Sequence, residues 1–354
     1  IIVLMLVGTV FVFSPALILG DIAGDGGRIS IMIWVGVIFL YYLLATLMPI
    51  DKIIGRIYPV FAFALIFMAL ALMVCLFVKW PSLPELWDGL GNLGESKGLL
   101  SGQPIFPCLF ITIACGAVSG FHATQSPMMA RCLTDERLGR PVFYGAMITE
   151  GIVALIWATV SSWFFFDGGA AEVGATVSAA APDVVVKVSK GWLGILGGIL
   201  AILGVVAAPI TSGDTAFRSA RLIVADFLHL NQKPIANRLM ISIPLFLIAG
   251  VLLWYNIADE NGFNVIWRYF GWANQTLAVF MLWTATAYLV KFKKGLTYLI
   301  TMIPAAFMTA VCTTYICVAK IGLGLPDSWN RAIGLATFVV SLVVFYALYF
   351  RRKK

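Results

Sequence analysis

Charge is what this sequence has least of. Asp, Glu, Lys and Arg make up 12% of its 354 residues, about half the roughly 25% of a soluble domain, and 61% are hydrophobic. A soluble enzyme and a disordered tail are excluded on that ground. Histidine occurs twice and cysteine six times (Cys75, Cys108, Cys115, Cys132, Cys312, Cys317), with no CxxC pair. This disfavours zinc sites, redox motifs and disulfide scaffolds, and the cysteines read as small buried hydrophobes. No basic n-region or cleavage site marks a signal peptide. The chain opens at Ile1 inside an apolar run and is read as a piece of a longer protein whose beginning is missing. No metal and no cofactor is expected. The net charge of +7 is assigned to loops flanking a lipid bilayer rather than to a nucleic-acid partner.

What the sequence has instead is long apolar runs. A spanning helix needs ~20 apolar residues, and such runs lie near 1–19, 29–49, 57–79, 104–131, 142–166, 192–218, 239–255, 264–290, 298–319 and 329–350. Basic residues then orient them. Sixteen of the 24 fall in alternate connections, from Lys52 and Arg56 to the tail Arg351 to Lys354, against eight in the others. That asymmetry places the first set, and the C-terminus, in the cytoplasm. Two outer connections are long, 80–103 and 167–191, and carry Gly, Pro and Ser. Each is expected to hold either a short interfacial helix or a plain surface loop.

Two spans depart from an ordinary membrane helix. In the first, Ile105 to Arg131, Gly116, Gly120 and Pro127 loosen the ladder, and Ser119, His122, Thr124, Gln125 and Ser126 crowd five polar side chains together. Fifteen steps from Ile105 to Gly120 rise ~22 Å, so the break is expected past the midplane, toward the cytoplasm. Irregular backbone at that depth lines a cavity or is covered by protein, and secondary transporters build substrate sites this way. A helix merely kinked at Pro127 is the alternative. In the second span, Ala207 to Arg218, Pro209 and Gly213 are expected to break the helix beside Thr211, Ser212, Asp214 and Thr215. Asp214 then either caps a new half-helix or binds a cation or proton.

Three further residues or pairs stand out. Glu150, the lone acid of 141–166, is read as a buried carboxylate, costly if unpaired, that serves proton or structural coupling; a structural hydrogen bond to a neighbouring helix is the alternative. Asn274 and Gln275 can donate and accept at once, as interhelical glue or as contacts to cargo. Arg268, six residues before Asn274, is placed near the outer mouth, where it either attracts an anion or pairs with Asp259 or Glu260.

The strings SGFHATQSPMMARC (119–132), YGAMITEGIVALIWA (144–158), LAILGVVAAPITSGDTAFRSARLIVADF (200–227) and FGWANQTLA (270–278) resemble the carbon starvation protein A (CstA) family of bacterial inner-membrane transporters. The resemblance runs over essentially the whole chain. It implies uptake of pyruvate or peptides during nutrient limitation, with proton symport described for pyruvate members. Pyruvate, peptide or amino acid remain as cargo, and proton or sodium as the coupling ion. It also implies an all-α polytopic membrane protein of about ten transmembrane helices in an inverted-repeat, LeuT-like architecture lacking its first two helices. Residues 1–354 then form one transporter domain. Within it, 1–80 are the remainder of a first repeat, 104–290 a second repeat with discontinuous helix 104–131, and 298–350 two accessory helices.

On this reading Ser119, Gly120, His122, Thr124, Gln125, Ser126, Asn274 and Gln275 meet the substrate. Thr211, Ser212, Asp214, Thr215 and Glu150 couple the ion. The rival is an intramembrane hydrolase using His122 and Ser126, one helical turn apart, although no oxyanion motif accompanies the pair. A channel is disfavoured by the lack of a pore-lining ring. No catalytic residue is assigned.

Overall fold

The structure, a computed structural model, describes residues 1–23, 27–47, 51–85, 87, 91–98, 103–177, 181–259, 261–293 and 295–349. Glu260, Lys294 and the basic tail Arg351 to Lys354 lie outside these residues. Every regular element among the described residues is a helix. The longer ones are α1 (Ile2–Ala23), α2 (Arg28–Leu47), α3 (Asp51–Lys79), α4 (Gly120–Cys132), α5 (Ala146–Phe166), α6 (Ala181–Ala201), α7 (Ala207–Phe227), α8 (Ile235–Ala258), α9 (Gly262–Phe292), α10 (Leu299–Val318) and α11 (Asn330–Tyr349).

Nine stretches of the described residues are long and apolar enough to cross a bilayer, and the chain is a multi-pass membrane protein. The remaining expected span, 264–290, is α9. Its thirty-one residues give it the length, but it is not among the nine because Arg268, Asn274 and Gln275 dilute its apolar run. The connection 167–191 is largely helical. It holds the short helix Gly169–Glu172 and the first half of α6, which bends at Gly194 (φ 63°, ψ −144°). Connection 80–103 carries the short helix Leu93–Ser96.

The chain divides into two compact units. The first comprises Ile1–Glu85 and Ile152–Trp267. Its centre is α1, surrounded by α2, α6, α7 and α8. Leu4, Val7, Val10, Val12 and Ala16 on α1 are fully buried, as expected of a helix that is apolar all round. A second cluster joins α3, the later part of α5 and α6 through Met68, Leu72, Val160, Phe164 and Val188. Phe63, Leu155, Ile195 and Val251 point outward. In water such surface would drive association; here it is the face for lipid tails.

The second unit comprises Leu86–Gly151 and Arg268–Lys354, and so includes the first turns of α5 and most of α9. Helices α10 and α11 pack on each other, and the π-helical turn Ile105–Leu109 rests on α10. Ile111, Val279, Met308, Val311, Cys312 and Tyr315 form its core. Trp272 Nε1 donates to the Cys312 carbonyl at 3.0 Å and Trp283 Nε1 to Thr309 Oγ1 at 3.0 Å. Each indole thus buries its rings while satisfying its N–H, and together they fix α9 to α10.

Candidate functional site

The first span is interrupted, as its glycines lead one to expect. After the π turn come the short helix Phe110–Ile113 and a 3₁₀ turn, Ala114–Gly116. Residues 117–119 leave the helical path, and Ser119 is extended (φ −106°, ψ 128°) before α4 begins at Gly120. Pro127 breaks nothing: α4 runs through it.

An interrupted helix exposes backbone groups that the ladder would have paired, and leaving one buried without a partner costs ~1–3 kcal/mol. Two amides of α9 take up those groups. Asn274 Oδ1 accepts the Phe121 N–H at 2.7 Å, while Asn274 Nδ2 donates to Ser119 Oγ at 3.2 Å and Cys115 Sγ at 3.5 Å. Gln275, with its amide turned so that both ends are satisfied, donates to the Val118 carbonyl at 2.7 Å and accepts from the Cys115 N–H at 3.0 Å. Ser119 makes no capping bond with its own side chain, so the cap of α4 is supplied from another helix. Asn274 and Gln275 are both buried.

Gly120 makes this approach possible. A Cβ there would collide with the Asn274 carbonyl and stand 2.7 Å from Leu277 Cβ and 2.8 Å from the Ala278 nitrogen.

Beyond the break, α4 carries His122, Gln125 and Ser126 on one face, at spacings of three and four residues. His122 Nε2 lies 2.8 Å from Glu150 Oε2, with the two side chains 36% and 38% exposed. The expectation of a buried Glu150 is therefore corrected, and its pairing with a neighbouring helix is the alternative left open above. The correction has a simple cause: the first turns of α5 and α4 lie in the same unit, and His122 is the α4 side chain that meets Glu150. Among the described residues His122 Nδ1 has no hydrogen-bond partner. Ser126 Oγ donates to the His122 main-chain carbonyl at 2.8 Å, so the Ser–His contact that a hydrolase requires is absent. Thr124 Oγ1 donates to the Phe121 carbonyl and receives Gln125 Nε2.

The second expected interruption does not occur. Helix α7 is continuous through Pro209 and Gly213, and the irregularity lies earlier, in the π-helical turn Ile202–Val206. A proline cannot bond the carbonyl four residues back and its ring crowds that group. Here the group belongs to Val205, inside the wider π turn, so the strain is absorbed before the proline. Asp214 consequently caps no half-helix. It is buried mid-helix, with Oδ2 3.2 Å from Arg218 Nη2, and Arg218 Nη2 also reaches the Ala45 carbonyl at 3.2 Å. Thr211 and Thr215 donate to carbonyls of their own helix, Ala208 and Thr211, and Ser212 is half-buried.

Sequence reasoning missed Tyr42. Its hydroxyl lies 3.0 Å from the Phe11 carbonyl and 3.1 Å from that of Pro209, tying α2 to α1 and α7. Tyr42 occupies the space that a side chain at Gly213 would need. Nothing local to residue 42 announces this, because both partners are distant in the chain.

Comparison with known proteins adds independent findings. The family model described as Carbon starvation protein CstA matches residues 1–192 and 175–315. The chain is 39% identical over 207 residues to an "Uncharacterized membrane protein" of Haemophilus influenzae, covering 46% of this chain and 56% of that one. It is 28% identical over 296 residues to the "Peptide transporter CstA" of Escherichia coli, covering 66% and 41%. To the "Pyruvate/proton symporter BtsT" of the same organism it is 27% identical over 323 residues, covering 67% and 43%. The chain thus spans less than half the length of these two transporters. No solved structure matches it significantly.

Proposed function

The chain belongs to the carbon starvation protein CstA family, and from that premise we propose that it imports small carboxylates or peptides across the bacterial cytoplasmic membrane by proton symport and alternating access, in the response to carbon starvation. In this reading the helices follow the inverted-repeat, LeuT-like plan. The break at 117–119 is the discontinuous helix of the second repeat, and the C-terminus is cytoplasmic.

The observation that carries the reading is the interrupted helix, with its backbone held by Asn274 and Gln275 and a half-exposed His122–Glu150 pair on its second half. The N-terminus of α4 meets the break, and helix N-termini favour negative charge. Pyruvate and the C-terminus of a peptide share a carboxylate, so this end of α4 suits either cargo, with Gln125 and Ser126 beside it. The His122–Glu150 pair gives the cycle a place for a proton. With a proton on the imidazole the pair is neutral overall; without it the pair carries one negative charge. A change of one unit of charge per cycle is what proton coupling needs.

The test is uptake of labelled pyruvate and of a labelled dipeptide by the chain in sealed liposomes, with proton and sodium gradients imposed separately. Uptake is expected to follow an inward proton gradient. His122→Ala is expected to abolish it and Glu150→Gln to make it indifferent to the proton gradient, with both variants still inserted. Undiminished uptake by His122→Ala would refute the site, and a requirement for sodium would refute the coupling.

A further inference from the structure

A second feature of the unit formed by Leu86–Gly151 and Arg268–Lys354 has no role in that reading. A cavity of about 110 Å³ is lined by Gln103, Cys108, Arg268, Tyr315, Val318 and Lys320, with His122 and Glu150 taking no part in it. Among the described residues, neither Arg268 nor Lys320 forms an ion pair or a side-chain hydrogen bond. Arg268 and Lys320 are both exposed, and an exposed cation on a flat surface is simply hydrated. Here two cations border one small hollow whose other wall is the buried pair Tyr315 and Val318. Asp327 acts electrostatically on Cys108 but does not line the hollow, so among the described residues its lining carries two positive charges and no negative one.

We propose that this cavity binds a small monocarboxylate, with the carboxylate held by Arg268 and Lys320 and the short carbon chain against Val318. A guanidinium offers two parallel N–H groups that match the two carboxylate oxygens, and Lys320 adds a second charge without fixing geometry. The volume holds several waters or one molecule of the size of acetate or pyruvate. The site is separate from the one at His122, and binding there does not require that the chain transport anything.

Cys108 is a built-in reporter, since it lines the hollow. The full chain in detergent is labelled with N-ethylmaleimide, and the rate at each cysteine is read by peptide mass spectrometry, with exposed Cys132 as internal control. Pyruvate is expected to slow labelling of Cys108 several-fold and leave Cys132 unchanged. Arg268→Gln is expected to remove that protection and Arg268→Lys to restore part of it. The proposal is overturned if pyruvate does not protect Cys108, if protection survives Arg268→Gln, or if inorganic phosphate protects equally well. Should Arg268→Gln fail to fold, charge selectivity in the unaltered chain decides. Faster reaction of Cys108 with an anionic than with a cationic methanethiosulfonate supports the site, and equal rates overturn it. Protection without uptake would leave this proposal standing while the transport reading fell.

Discussion

Two ion pairs of similar chemistry differ in what surrounds them. Asp214 and Arg218 meet at 3.2 Å with side chains 4% and 17% exposed, whereas Lys79 and Glu172 meet at 2.5 Å with 41% and 49% exposed. Distance alone would rank the second pair higher; burial reverses the order. Exposed pairs are screened and contribute ~0.2–1 kcal/mol, while removing one partner of a buried pair costs ~3–5 kcal/mol. Arg218→Gln is therefore expected to destabilise the chain by about 3–5 kcal/mol and Lys79→Gln by less than ~1 kcal/mol, read as thermal transitions in detergent. Equal shifts would show that burial does not govern these pairs. The Asp214–Arg218 spacing of four residues is legible on any helix. The partner of Glu150 is not, because His122 lies on a different helix and only packing brings the two together.

At the scale of elements, the sequence placed one interruption correctly and one wrongly, for a shared reason. Both segments combine Gly, Pro and hydroxyl residues. In the first, the backbone groups freed near Ser119 find Asn274 and Gln275 on α9; in the second, the proline is accommodated within the ladder by the π turn before it. Local composition reports the tendency to break, and the neighbouring helix decides whether a break can be satisfied. Asn274→Ala leaves the Phe121 N–H without its acceptor and is expected to cost ~1–3 kcal/mol. Gly120→Ala drives a methyl into the Asn274 carbonyl and is expected to lower folded yield in the membrane. Gly36 offers the control, since it lies within α2 with nothing in reach of an added Cβ. Gly36→Ala is expected to be neutral or to stabilise by up to ~1 kcal/mol. If both glycine changes behave alike in a thermal-shift assay, the close approach of α4 to α9 is wrong.

For the whole molecule, the governing fact is the solvent. Outward-facing Phe63, Ile195 and Leu335 are stable against lipid tails, and backbone groups without a partner are not. Sixteen basic residues against eight in alternate connections are expected to orient the helices. A C-terminal green fluorescent protein fusion is therefore expected to fluoresce and an alkaline phosphatase fusion to stay inactive; the opposite pattern would reverse the proposed orientation.

The amino-acid sequence by itself determined the membrane class, the approximate spans and the polar stretch at 119–126, since apolar run length and charge placement are local properties that a bilayer reads directly. Tertiary structure alone decided that Glu150 has a partner, that Asn274 and Gln275 are spent on the backbone of a neighbour, and that α7 stays whole. Those outcomes depend on which donor meets which acceptor across helices, and in a medium without water that pairing is the dominant cost.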